Sequence, residues 1–155
     1  MKILRIYIDT SVIGGCFDDE FSHWSNTLVD NFRLGYFKPV LSDIVAKEIN
    51  DAPVNVRGKY GEIVSCGAEL LTANDESATL MEHYRSHKIL SDKFEDDMMH
   101  IALATVAEVD VLVSWNFKHI VHYDKIRQFN AINIAEGYKP LVIYSPREVA
   151  HEKEI

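Results

Sequence analysis

A three-layer α/β/α sandwich with a mostly parallel central sheet is the fold class the sequence predicts, and three observations carry it. Residues 3–11 and 109–113 read as strand cores that are apolar almost without interruption, as expected of strands covered on both faces. Between such strands run stretches whose apolar residues repeat at helical spacing. No repeat, linker or low-complexity tract divides the 155 residues, so residues 1–145 are expected to form a single domain and 146–155 a polar tail.

The first strand, ILRIYIDTS, ends abruptly at Asp9, with the hydroxyl residues Thr10 and Ser11 behind it. Ligands of open α/β sheets sit beyond the carboxyl ends of the strands, which makes Asp9 the first place to look for chemistry. Gly14 and Gly15 permit a tight turn there. A helix over residues 22–36 follows, with Trp24, Leu28 and Phe32 on one side, and then a short strand over 39–41. Ser42 or Asp43 can cap the next helix, which carries Val45, Glu48 and Ile49 and stops at Pro53. Residues 54–66 repeat the helical pattern until Gly67, residues 69–72 read as a brief strand, and Asn74 or Asp75 caps a helix with Leu80, Met81 and Tyr84 facing inward.

Residues 91–109 form the most diagnostic helix. Asp92 followed by Glu95 resembles a capping box, and the segment MMHIALATVA is apolar on nearly every side, so this helix should be enclosed. A strand over 109–113 leads into the loop SWNFKHI, a helix over 124–136 ends at Gly137, and 141–144 supplies the last strand.

A formal net charge of −8 argues against nucleic-acid binding over the whole surface, because that mode needs Lys and Arg to neutralise phosphates. An acidic pocket can still take a phosphodiester if divalent cations bridge the two. No run approaches the roughly 20 apolar residues of a membrane span, and the N-terminus lacks the features of a signal peptide, so a cytoplasmic location is expected. Cys16 and Cys66 have no metal-type spacing and are expected to be reduced spectators.

The acidic candidates are Asp9 at the end of the first strand, Glu48 on the helix after the second, and Asp97 in the first turns of the buried helix. Asp97 is preferred to Asp96 because it shares a side with Ile101 and Ala104. Asn116 lies in the loop after the later strand, at the same sheet edge. Carboxylates that converge repel, so either their pKa values rise or a cation resolves the conflict. Hard oxygen donors of this kind suit Mg²⁺ or Mn²⁺. Thr10 is expected to cap and His100 to be a hydrogen-bonded structural histidine. Trp115 and Phe117 can stack on a base, with at least one of them packed in the core.

The blocks IYIDTSVI, IVAKEI, DMMHIALA and VDVLVSWNFKHI, in that order over residues 6–120, resemble the signature blocks of PIN domains, which are metal-dependent nucleases. The resemblance implies that Asp9, Glu48 and Asp97 hold Mg²⁺ or Mn²⁺ and that Asn116 takes the fourth acidic position, where many members have Asp. It also implies a ribonuclease toxin of the VapC type, acting on RNA, silenced by a cognate antitoxin protein and assembled as a homodimer. Ser11, Lys118 and His119 would form an RNA-contacting rim, with His122 close by. A haloacid-dehalogenase-type phosphatase needs a second Asp two residues after the first, where this chain has Ser11, and a receiver domain needs an acidic pair at the first strand. The rival reading is a catalytically degenerate PIN-like domain serving as a nucleic-acid or protein binding module, which the neutral Asn116 keeps open.

Overall fold

A computed structural model describes residues 2–152. Five parallel strands, β1 (Leu4–Ile8), β2 (Phe37–Ser42), β3 (Glu69–Leu71), β4 (Val111–Val113) and β5 (Ile143–Tyr144), form one sheet in the order β3-β2-β1-β4-β5. Ile6, Tyr7 and Ile8 are wholly buried because β1 is central and helices cover both faces of the sheet. The chain leaves β1 first toward β2 and β3 and later returns to its other side as β4 and β5, which puts the topological switch point between β1 and β4. Ile8 pairs with Val113, so Asp9 and Ser114 are the next residues out of two adjacent strands.

The segment after β1 is a helix, α1 (Thr10–Gly15), where the sequence suggested a tight turn. Neither Gly14 nor Gly15 has left-handed backbone. Gly15 is needed for close packing: a Cβ there would lie 2.7 Å from Ser25 Oγ and 2.8 Å from Trp115 Nε1, whereas one on Gly14 would meet nothing within 4 Å. Next comes α2 (Ser22–Arg33), which ends earlier than its apolar spacing suggested because Gly35 turns left-handed at φ +78°.

Ser42 caps α3 (Asp43–Asn50), its Oγ accepting from Val45 N at 3.3 Å. Pro53 precedes α4 (Val54–Val64). Asn74 and Ser77 form a capping box at the start of α5 (Asp75–Ser86). A 3₁₀ turn at Asp92–Phe94 leads into α6 (Glu95–Val106), in which Met98 and every residue from His100 to Thr105 are buried. The capping box expected of Asp92 and Glu95 is not formed. Both carboxylates face Arg85 instead, at 3.4 and 3.2 Å, so the guanidinium joins α5 to the start of α6.

The helix α7 (Tyr123–Ala135) packs against α5, and α8 (Pro146–Val149) lies against α2. The beginning of the expected polar tail is therefore folded: Ser145 and Glu148 make a capping box, and the His151 backbone exchanges two hydrogen bonds with the Asn31 side chain. Residues 153–155 lie outside the described residues.

The two adjacent glycines should respond in opposite directions. Gly15→Ala should lower stability by about 1–3 kcal/mol through overpacking against Ser25 and Trp115. Gly14→Ala should be neutral or raise it by up to about 1 kcal/mol, the helix-propensity difference. Thermal unfolding of the two variants beside the wild type checks both.

Candidate active site

The carboxyl ends of β1, β2 and β4 bring together the residues singled out at the sheet edge. Asp9 is buried, with 5% of its surface exposed, and both its oxygens accept hydroxyl hydrogen bonds at 2.6 Å, Oδ1 from Ser11 and Oδ2 from Ser114. Ser11 Oγ in turn accepts from Trp115 N, and Ser114 Oγ from Asn116 N. Asp9 is thus tied to the loop after β4 from two sides.

From α3, Glu48 Oε1 accepts from Thr10 Oγ1 at 3.1 Å and from His100 Nε2 at 2.8 Å. Thr10 therefore orients Glu48; it does not cap α1, whose N-cap position belongs to Asp9. His100 reaches the cluster from α6, and its Nδ1 lies 2.6 Å from the Tyr7 hydroxyl, which lies 2.7 Å from Ser42 Oγ. Asp97, one turn earlier on α6, accepts from His119 Nδ1 at 2.8 Å and from Asn116 Nδ2 at 3.3 Å through the same oxygen, Oδ2. Asn116 Oδ1 accepts from His119 N, so both ends of the Asn116 amide are engaged within the protein.

The electrostatics follow from this packing. Burial is the largest influence on Asp9 and pushes its pKa above the usual carboxylate value, although the charge of His100 and the two serine hydroxyls work against that rise. Burial disfavours a charged His100 as well, yet the hydrogen bond to Glu48 and the negative charges of Asp9, Glu48 and Asp97 outweigh it and raise the imidazole pKa. Glu48 is also opposed by burial, but His100 and Thr10 bring it below the ordinary value. A doubly protonated His100 donates to Glu48 on one side and to Tyr7 on the other, and burial keeps the Tyr7 phenol neutral by raising its pKa.

The expected rim is only partly at the surface. Lys118 is exposed, whereas His119 is 8% exposed, held by Asp97 and packed on Phe94 with ring centroids 3.9 Å apart. Trp115 is buried and donates from Nε1 to Ser25 Oγ, while Phe117 is exposed. Tyr7, Ser42 and Ser114 belong to the site but were not singled out from sequence; only their place at adjacent strand ends marks them.

Three carboxylates are a donor set suited by chemistry to a hard divalent cation. Among the described residues, however, no three His, Cys, Asp or Glu side chains stand as a ready-made metal cage. Each carboxylate is instead bound by donors of the protein itself.

No family model and no curated protein matches the sequence. Among solved structures, a chain of VapBC2 from Rickettsia felis, crystallised bound to a DNA fragment from their promoter, superposes with a TM-score of 0.60 at 13% identity. The match covers 92% of this chain and 98% of that one. Near-complete coverage with so little shared sequence establishes the architecture, a PIN-like three-layer sandwich. No described helix is long and apolar enough to cross a membrane.

Asp9→Asn should stabilise the metal-free protein. A carboxylate whose folded pKa is raised above 3.8 costs stability once pH exceeds its unfolded value, and that cost disappears in acid. The variant should unfold a few degrees higher than wild type at about pH 7.5, with the gap narrowing toward about pH 4. Thermal melts across that range check the sign.

Proposed function

We propose that this chain is a divalent-metal-dependent endoribonuclease and the toxin of a toxin–antitoxin pair. The observation that carries the reading is the placement at the switch point of a PIN-like sheet of Asp9, bonded to Ser11 and Ser114, Glu48, bonded to Thr10 and His100, and Asp97, bonded to Asn116 and His119. Residues remote in sequence, from strand ends and from two helices, converge there on a polar cluster whose Asp9 is costly to bury. Likeness to a chain of a VapBC assembly supports the toxin context. RNA as substrate, an antitoxin protein as partner, a homodimer and a cytoplasmic location belong to the same proposal.

Asp9, Glu48 and Asp97 would hold Mg²⁺ or Mn²⁺. A divalent ion there supplies Lewis-acid stabilisation of the charge that builds on the phosphodiester oxygens during in-line hydrolysis. Glu48, held below the ordinary carboxylate pKa, stays ionised and keeps Oε2 outside its bonds to Thr10 and His100. Ser11 and Ser114 fix both oxygens of Asp9, while His119 and Asn116 aim Asp97. Asn116 acts by positioning Asp97, since its amide is engaged at both ends. Lys118 offers an exposed cation to the RNA backbone.

The second reading, a degenerate PIN-like binding module, is favoured by the neutral Asn116 and by the absence of a ready-made cage among the described residues. Two measurements separate the readings. Purified wild type should cleave a structured RNA such as tRNA with Mn²⁺, and Asp97→Asn should lose at least about a hundredfold of that rate while keeping its thermal midpoint. Saturating Mn²⁺ should also stabilise wild type by about 2.7 kcal/mol at a hundred times Kd, and Glu48→Gln should lose most of that shift. An intact fold with neither cleavage nor a metal-induced shift would assign the chain to the binding-module class.

A further inference from the structure

Beside the carboxylates lies a cavity of about 400 Å³ lined by Ser11, Gly14, Asp18, Phe21, Trp115 and Asn116. We propose that it seats one nucleobase of the RNA substrate next to the scissile phosphate, with a preference for bases that carry an exocyclic amine. The proposal rests on the ribonuclease reading and adds to it a specificity subsite.

Location is the first argument. Ser11 and Asn116 line the cavity and also hold Asp9 and Asp97, so an occupant of the cavity sits against the carboxylate cluster. The walls are the second. Phe21 stacks on Trp115 with centroids 4.3 Å apart and planes 21° apart, and both rings line the cavity. The Trp115 indole N–H is bound to Ser25 Oγ and its ring is lodged against Gly15, so this aromatic platform is rigid before any ligand arrives. The volume lies in the roughly 300–1,000 Å³ range of small-ligand sites, ample for a base.

Charge supplies the third argument. A net charge of −8 disfavours phosphate contacts over the whole surface, which leaves contacts to bases a larger share of RNA affinity. Flat aromatic walls serve every base, but the Asp18 carboxylate only accepts hydrogen bonds, which favours the amino group of cytosine over the carbonyl of uracil. An apolar peptide side chain would instead strip water from the exposed Asp18 carboxylate without replacing its hydrogen bonds.

The test measures binding of fluorescein-labelled hexacytidylate, hexauridylate and an abasic ribose–phosphate hexamer to the full chain in EDTA. Hexacytidylate should bind roughly tenfold tighter than the abasic strand, the effect of one stacked base, and also tighter than hexauridylate. Gly14→Leu grows into the open space at Gly14 and should bring hexacytidylate down to the abasic level. Asp18→Asn, at an exposed position of the lining, should narrow the gap between hexacytidylate and hexauridylate. Equal binding of base-bearing and abasic strands, or a preference untouched by both substitutions, overturns the subsite. If Mn²⁺-dependent tRNA cleavage persists alongside that result, the subsite falls and the ribonuclease reading stands. If the base preference holds while tRNA is not cleaved, the hydrolytic reading falls and the cavity remains a nucleobase site. A base-blind protein whose Phe21 and Trp115 NMR resonances respond to N-acetyltryptophanamide assigns the cavity to a peptide partner and overturns the proposal.

Discussion

The charges of Asp9, Glu48 and Asp97 all act on one buried imidazole, that of His100 inside α6, and raise its pKa against the cost of burial. The imidazole is almost fully buried, bonded to Glu48 through one nitrogen and to Tyr7 through the other, and faces the charges of Asp9 and Asp97 as well. Burial alone would neutralise it; the surrounding anions reverse that preference.

The sheet delivers the partners to this point. Registering Ile8 with Val113 sets Asp9 beside Ser114, and the neighbouring ladder carries Ser42 to the same edge, where it caps α3 and meets the Tyr7 hydroxyl. Placing α3 against α6 then presents Glu48 to His100. Hydroxyl groups from Ser11 and Ser114 satisfy both buried oxygens of Asp9, each of which would otherwise cost about 1–3 kcal/mol or more, and Thr10 adds a second donor to Glu48 Oε1. The loop after β4 completes the arrangement, with Asn116 and His119 both turned onto Asp97.

Much of this was legible in the sequence because apolar runs and helical spacing report burial directly. The central strand ending at Asp9, the enclosed helix behind Asp97 and the parallel α/β class all follow from such patterns. What escaped depends on pairwise geometry. Gly14 and Gly15 read alike as turn formers, yet only the packing of Trp115 shows that one must lack a Cβ and the other need not. Asp92 and Glu95 have capping-box spacing, but Arg85 on a neighbouring helix draws them away. His119 looked like a surface cation, and only the fold turns it inward to Asp97. Tyr7 reads as an ordinary strand residue, Ser42 as a helix cap and Ser114 as the start of a loop until registration aligns them.

In the proposed nuclease, Mg²⁺ or Mn²⁺ and a protonated His100 would be alternative ways of balancing the charges of Asp9, Glu48 and Asp97. Crystals grown with Mn²⁺ and measured at its absorption edge examine that point most directly. An anomalous peak within ligand distance of Asp9, Glu48 and Asp97 is the expected result. Well-ordered carboxylates with no peak among them, or a peak held elsewhere on the protein, would contradict the account.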